Sequence, residues 1–527
     1  MSSTRYDSAS PRIVASTCGH IASMSAEKHF VSPYLVDTCE LWASAVPSVT
    51  ASTGPGRRRA ALVVLCFVQF MLVLDDTVVS VALPSIRDEL GFSGPGLVWV
   101  VNAYFLAFGG LLLPAGRAAD LLGRRRVFLL GVALFGAASL ACGLAQQPWQ
   151  LVLGRFVQGA GAAMASPAAL SLITLLFPGA AERTRALGIW GGNAALGGTA
   201  GLVISGLLTD LASWRLIFLI NLPVAAVALV LLPRLTPESR ARHRTGLDIP
   251  GAVLGTGAVV SLVFGLLHAG ETNWTDPTVI AALSTAAVLT AGFLTVESKV
   301  AQPLVPKAFL ADRTRSVANA ATLLFSVAFF AMAFLLMIHV QTVLGYSPLQ
   351  AGLAYLPYGA GILAGMQLCP HMSTRLGMRW ALPLSFLISS AGVLMLSGVA
   401  AGDPYTTGVL PGMLVTSLGC GLTLPLLAAA AVTGTTSENA GLGSALFSSV
   451  QQIGGAIGVA VLVTVAERHG GTDAGPLRSQ GFSFALTIAA AVLFLGAALV
   501  ATLLRTHRSP APSAATHTDE VSATGKG

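Results

Sequence analysis

From Ala60 to Leu504 the chain runs as a succession of apolar windows, broken by short polar loops. Each window is about 20 residues long, and at 1.5 Å per residue a helix of that length crosses the roughly 30 Å of hydrocarbon in a bilayer. The windows fall at 60–84, 97–116, 127–145, 149–177, 186–209, 215–233, 249–268, 278–296, 316–344, 349–370, 380–400, 407–433, 441–466 and 482–504. They predict fourteen membrane-spanning helices. The windows are too long and too evenly apolar for the alternating strands of about ten residues that build a barrel, and a helix satisfies all of its own backbone inside lipid. The predicted fold class is therefore all-α integral membrane.

Composition agrees: 10% of the 527 residues are charged, against roughly 25% in soluble domains. The loops then decide orientation, because loops rich in Lys and Arg stay cytoplasmic. Starting at Arg57, Arg58 and Arg59, every second loop is basic: Arg117 with Arg124 to Arg126; Arg183 and Arg185; Arg234, Arg240, Arg242 and Arg244. The series continues through Lys299, Lys307, Arg313 and Arg315, then Arg375 and Arg379, and ends at Arg505 and Arg508. The opposite loops hold only Arg87, Arg215, Arg468 and Arg478. This alternation predicts an even number of crossings, with both termini on the cytoplasmic side of the cell membrane, and it accounts for the net charge of +7. Charges dispersed in this way predict no nucleic-acid partner. The six cysteines, Cys18, Cys39, Cys66, Cys142, Cys369 and Cys420, lack metal or disulfide spacing, and no metal or cofactor is expected. No phosphate loop, H-E-x-x-H or G-x-S-x-G elbow occurs, which argues against ATP as the energy source and against an enzyme.

Residues 1–56, rich in Ser, Ala and Thr, have no signal-peptide pattern and predict a disordered cytoplasmic tail, with Met24 as an alternative start. Residues 506–527 predict a second polar tail. Between the tails the chain repeats weakly. The loop GRAADLLGRRR, Gly116 to Arg126, is echoed by PHMSTRLGMR, Pro370 to Arg379, and placing Gly123 on Gly377 gives an offset of 254 residues. The same offset carries the start of the second window onto that of the tenth. Two six-helix bundles, at 57–233 and 316–505, with a linker at 234–315 holding two extra transmembrane helices, account for all fourteen windows. Repeat-built membrane carriers hold substrate between their halves near the midplane.

Motifs then accumulate in order. LDDTVVSVALP in the first window resembles the L-D-x-T-x-V-N-V-A-L-P signature of the fourteen-helix drug:proton antiporter group of the major facilitator superfamily, with Asp75 at the signature aspartate and Ser80 where Asn is usual. GRAADLLGRRR resembles the superfamily loop G-x-L-A-D-R-x-G-R-R, matching at Gly116, Asp120, Gly123, Arg124 and Arg125 and departing at Ala118 and Leu121. LVLGRFVQGAGAA resembles R-x-x-Q-G-x-G-A-A, with Arg155, Gln158, Gly159 and Gly161 in place. GGTAGLVISGLL resembles the antiporter motif G-x-x-x-G-P-x-x-G-G at Gly197, Gly201 and Gly206, but Leu202 replaces Pro and Ser205 replaces Gly. SWRLIFLINLP, Ser213 to Pro223, and VQTVLGYSPLQAG, Val340 to Gly352, also resemble the fourteen-helix group. The resemblance covers Ala60 to Leu504. It implies two six-helix bundles of major facilitator type plus two extra central helices, and a multidrug efflux antiporter driven by protons. It further implies that the Gly116–Arg125 loop is a conformational latch.

The residues can also be read without the family. A charge at the bilayer centre costs on the order of 3 kcal/mol even on a lenient scale, so an intramembrane ionisable group is functional by default. Asp75 lies about 13 Å below the outer boundary and Arg155 about 9 Å. These depths let them meet, either as a proton-coupling pair or as a structural ion pair fastening two helices. Asp76 points about 100° away from Asp75, on the face of Ser80. Asp76, Asn102, Tyr104, Gln158, Asn193, His339, Gln341 and Gln451 are the candidate cavity lining. The favoured function is export of a hydrophobic or amphipathic small molecule, a drug or antibiotic, in exchange for protons, by a monomer in the lipid bilayer. A proton-coupled importer or a dedicated exporter of one metabolite or siderophore is the alternative. A membrane-embedded enzyme or lipid-handling scaffold is a remote one.

Overall fold

The computed structural model describes residues 55–239, 248–300, 303–306, 309, 311–400, 402–433, 435, 440–469 and 479–504. Both expected tails, save Pro55 and Gly56, lie outside the described residues. Sixteen helices occur among these residues and no strand does. They are α1 Pro55–Leu90, α2 Gly94–Leu122, α3 Arg124–Gly143, α4 Pro148–Leu176, α5 Ala180–Leu211, α6 Leu216–Leu219, α7 Asn221–Leu235 and α8 Ile249–Glu271. The second half of the chain adds α9 Pro277–Lys299, α10 Arg313–Thr342, α11 Pro348–Ala354, α12 Leu356–Leu376, α13 Met378–Ser397, α14 Val409–Ala431, α15 Ala440–His469 and α16 Ser479–Leu503.

Twelve of the helices are long and apolar enough to cross a membrane, α6 and α7 counting as one continuous span. The two further windows of the sequence reading fall in α5 and in α11–α12. Seven glycines between Gly188 and Gly206 dilute the apolar character of α5, whose end at Ala200–Leu211 is a shorter apolar helix. A break at Tyr355 divides the tenth window into α11 and α12, and α12 carries Gln367, His371 and Arg375. The central pair α8 and α9 is among the twelve.

The internal repeat is visible in the turns. The positive-φ glycines among the described residues are Gly91 (φ 71°), Gly123 (φ 113°), Gly345 (φ 70°) and Gly377 (φ 70°), and both pairs are separated by the 254-residue offset. A serine N-cap follows both turns of the first pair, Ser93 receiving the Gly96 N–H after Gly91 and Ser347 the Gln350 N–H after Gly345. Such a cap satisfies one of the amides that a helix start leaves without a partner. Packing repeats as well: α3 lies on α4 as α13 lies on α14, and α2 lies on α4 as α12 lies on α14. The halves meet along two seams, α2 against α15 and α5 against α11. Helix α8 packs on both α2 and α15, and α9 packs on α8.

Candidate functional site

Asp75 and Arg155 do meet, inside the first half. Both are buried, at 0% and 1% exposure, and Arg155 Nη1 donates to Asp75 Oδ2 at 2.5 Å. The guanidinium is held on every side: its Nε donates to the Val100 carbonyl (3.0 Å), its Nη1 also donates to Gln158 Oε1 (3.0 Å), and the Tyr104 ring lies 4.4 Å from Cζ. Asp75 Oδ1 accepts from Gln158 Nε2 (3.0 Å) and Asn221 Nδ2 (2.8 Å). Both amides also reach Ser139 Oγ, at 2.8 and 3.3 Å. Five elements thus contribute to one network: α1, α2, α3, α4 and α7. A buried charge is tolerated when it is paired and its remaining lone pairs are filled, and Asp75 meets both conditions.

Asp76, the next residue, faces elsewhere. A cavity of about 660 Å³ lies between the halves and is lined by Asp76, Thr77 and Ser80 of α1, Trp190 of α5, Phe330 and Phe334 of α10, Tyr355 at the start of α12, Tyr358 of α12, and Phe447 and Gln451 of α15. Its size suits a drug-sized molecule, and its walls are largely apolar, as such sites usually are. Asp76 Oδ1 is buried and has no hydrogen-bond partner. The roughly 100° step between helix neighbours separates the two carboxylates as the sequence predicts. From Val101 and Tyr355 the lining extends to Pro425 and Ala428, near the far end of α14.

Of the eight candidate lining residues, Asp76 and Gln451 line the cavity. Tyr104 and Gln158 belong to the Asp75–Arg155 network instead. Asn102 donates to the Ala456 carbonyl across the α2–α15 seam (3.1 Å), and Gln341 donates to the Val81 carbonyl (3.0 Å), so both fasten the halves together. His339 is buried with its ring stacked on Phe482, centroids 4.4 Å apart, and both ring nitrogens lack partners. The side chain of Asn193 lies outside the described residues. Further closures sit near Gln341: Ser347 Oγ donates to Asp210 Oδ2 (3.1 Å), and a Cβ on Gly206 would lie 2.5 Å from the Pro348 carbonyl oxygen. Gly197 and Gly201 lie against Phe70, Val73, Leu74 and Thr77 of α1. Cross-half polar contacts among the described residues therefore gather toward the end that holds the Gly91 and Gly345 turns.

At the opposite end, the loop around Gly123 is clasped by Glu238, just beyond α7. Asp120 pairs with Arg124 (3.0 Å), while Arg125 and Arg126 each lie 3.6 Å from Glu238 Oε2. Glu238 Oε1 accepts from the Arg125 backbone N–H (3.3 Å), and Arg125 Nη1 reaches the carbonyls of Thr236 (2.9 Å) and Pro233 (3.2 Å). A carboxylate at a helix start complements the positive end of the helix dipole. Gly123 is doubly required, since its φ of 113° suits glycine and a Cβ would lie 2.5 Å from Glu238 Oε1. Gly116 leaves ordinary space beside Pro167, with 3.9 Å to its Cβ.

Sequence reading missed Asn221, Ser139 and Glu238. Asn221 lies within the stretch SWRLIFLINLP, where it is a lone amide in an apolar run, and that was its available signal.

The comparisons agree with this architecture. A model of the Major Facilitator Superfamily matches residues 65–459. The puromycin resistance protein pur8 of Streptomyces alboniger is 38% identical over 479 residues, covering 88% of this chain and 94% of that protein. The cephamycin export protein CmcT of Amycolatopsis lactamdurans is 36% identical over 465 residues, covering 88% and 95%. Among solved structures, a bacterial homolog of the human lysosomal transporter Spinster, inward-facing and unoccupied, superposes with a TM-score of 0.64 at 17% identity, covering 87% of this chain and all of that one. A helical, multi-pass membrane architecture, a cavity between two repeated halves and a family match over most of its length together establish that this chain belongs to the major facilitator superfamily of transporters.

Proposed function

We propose that the protein exports an amphipathic small molecule, of the antibiotic or drug class, across the cell membrane in exchange for protons. The observation that carries this reading is the largely apolar cavity between the halves, large enough for a drug-sized molecule and bearing one carboxylate. The names of the relatives, a resistance protein and an export protein, favour export over uptake. Each of those names carries a single antibiotic, which favours a dedicated exporter as the second reading; a resistance profile across unrelated compounds separates a dedicated exporter from a broad one.

The cross-half contacts at the Gly91–Gly345 end and the reach of the cavity toward the other end support an alternating mechanism, in which the halves rock about the cavity. In this reading α5 and α11–α12 also span, giving fourteen helices in two six-helix bundles, 57–233 and 316–505, around the 234–315 linker, in a monomer with both termini cytoplasmic. The loop Gly116, Asp120, Gly123, Arg124 and Arg125 is the latch, and Gly197, Gly201 and Gly206 let α5 slide against α1 and α11. Asp75 and Arg155 are the proton-coupling pair: separating them lets a proton take the place of the guanidinium on the carboxylate.

Reconstituted vesicles with an imposed pH gradient test the reading. Substrate is expected to accumulate only while the gradient persists, and a protonophore is expected to abolish accumulation. Accumulation that ignores the gradient would overturn proton exchange. Undiminished gradient-driven transport by a monodisperse Asp75→Asn variant would remove Asp75 from the mechanism.

A further inference from the structure

A second pair of carboxyl groups stands where α8 begins and α9 ends. Asp248 caps α8, its Oδ1 accepting the Gly251 N–H (2.9 Å), and the side chain is buried at 4% exposure. Glu297 lies in the last turn of α9, and its Oε1 accepts the Val305 N–H (2.6 Å) from the connection that follows. The remaining oxygens, Asp248 Oδ2 and Glu297 Oε2, are buried without a hydrogen-bond partner. The two carboxyl groups lie within hydrogen-bonding reach of each other, with Arg117 of α2 close by.

The elements packed on α8 are α2, α9 and α15. Of the charged groups on α2, Arg117 faces the pair and Asp120 is engaged by Arg124. On α9, Lys299 is exposed. The other titratable residues of α8 and α15 stand at the far ends of those helices, where Arg468 donates to the Ala269 carbonyl. Two ionised carboxylates would thus face one guanidinium, and two buried acceptors would face each other with no donor between them. One proton removes both conflicts: it cancels the excess charge and supplies an O–H from one carboxyl to the other.

The pair sits against a connection that touches both halves. Val305 is tied to α9 by Glu297, and the Pro303 carbonyl accepts from Arg117 Nη2 (2.6 Å). Phe309 lies under the Arg315 guanidinium of α10, 4.4 Å from its ring centroid, and a Cβ on Gly443 of α15 would stand 3.3 Å from its Cζ. Residues 303–306 and 309 therefore bridge α2 and α9 to α10 and α15, at the end of the molecule that holds the Gly123 turn.

We infer that Asp248 and Glu297 share one proton and form an acid-held clasp: with the proton in place the connection restrains the halves from parting at this end, and loss of the proton to solvent sets the two carboxylates against each other and frees the connection. The clasp does not depend on what the cavity carries, on the direction of transport or on Asp75. The closed form holds one proton more than the open one, so acid favours it, and its hold weakens by up to about tenfold per pH unit while that proton leaves.

Hydrogen exchange at the Val305 amide, corrected for the pH dependence of free amides, reads the opening in full-length protein in lipid nanodiscs. Protection is expected to fall as pH rises. Glu297→Gln and Asp248→Asn each keep the oxygen that serves a backbone N–H and place a permanent amide donor between the pair, and both are expected to keep Val305 protected at every pH. An infrared carbonyl band of a protonated carboxylic acid, titrating with the loss of protection and missing from both variants, is expected to identify the proton. Spin labels at Leu122→Cys and Leu376→Cys, with Cys18 and Cys39 changed to Ser, are expected to move apart with rising pH in the wild type and to keep their distance in the amide variants. Protection that ignores pH, a pH response that survives in both variants, or a label distance that stays fixed while Val305 opens would overturn the inference. The wild-type titration decides even if a variant does not fold. None of these measurements needs substrate, so failure of the export reading leaves them standing. Gradient-driven transport by a protein whose connection ignores pH would sink the clasp alone.

Discussion

Asp75 and Asp76 share a peptide bond, a helix and a side-chain type, yet their surroundings are opposite. Asp75 turns into the first half, where a guanidinium, two amides and a hydroxyl form a closed polar island among apolar helices. Asp76 turns toward the second half, where rings and aliphatic groups leave one of its oxygens without a partner. One carboxylate is enclosed within a bundle and paired there, and the other is presented to the cavity between the bundles. The difference teaches that a charge inside a membrane protein is read by what completes its hydrogen bonds, not by depth or by neighbours in sequence. A buried charge with a full shell is stable as it stands and changes state only when that shell is opened, whereas a buried charge with a gap lacks a partner already.

The comparison can be broken most directly at Arg155. Arg155→Met would leave Asp75 buried without its counter-charge, and breaking a buried pair from one side costs about 3–5 kcal/mol. The variant is expected to lose most of its resistance to unfolding, read as the thermal midpoint in detergent. A loss below about 1 kcal/mol would place Asp75 in the same class as Asp76. The matching change at the other carboxylate should have the opposite sign. Asp76→Asn removes a charge that no partner balances and is expected to leave stability unchanged or raise it by about 1 kcal/mol. Destabilisation of several kcal/mol would reveal a partner for Asp76.

Two further carboxylates sharpen the scale. Glu238 pairs with Arg125 and Arg126 at 3.6 Å and is partly exposed. Glu238→Gln is expected to cost about 0.5–1 kcal/mol, an effect that fades with added salt, as for other exposed pairs. Indifference to salt would mean that the backbone contact, not the charge, holds the loop. Asp276 caps α9 and is partly exposed, and the Thr278 backbone N–H that it accepts holds its pKa below the ordinary value of 3.8. A lowered folded-state value means a stabilising contribution that is present above the ordinary value and is lost as pH falls through the folded one. The wild type and Asp276→Asn should therefore differ slightly in thermal midpoint at pH 5 and converge as the pH is lowered well below 3.8. A gap that widens on acidification would contradict that assignment.

Much of this was legible in the sequence because it rests on short-range periodicity. Helix rise put Asp75 and Arg155 at compatible depths, and the 100° step per residue put Asp76 on another face. The 254-residue offset between Gly123 and Gly377 marked a repeat that the Gly91 and Gly345 turns share. What stayed hidden depends on how helices rotate and tilt against one another. Asn102, Gln341 and His339 are polar groups at membrane depth, but each faces a helix seam or neighbour rather than the cavity, which no single window encodes. Asn221 and Glu238 act across 146 and 113 residues of chain, beyond the reach of local pattern. The windows in α5 and α11–α12 shade into glycine-rich or broken helix, and there apolar length alone is a poor guide.

Helix α8 lies along one of the two seams between the halves, touching both α2 and α15, and among the described residues no helix covers the α5–α11 seam in the same way. The duplicated bundles would by themselves give a body with interchangeable flanks. With α8 in place, an oily molecule approaching from within the lipid meets a shuttered flank on one side and a bare one on the other, so a nearly symmetric carrier acquires a front and a back.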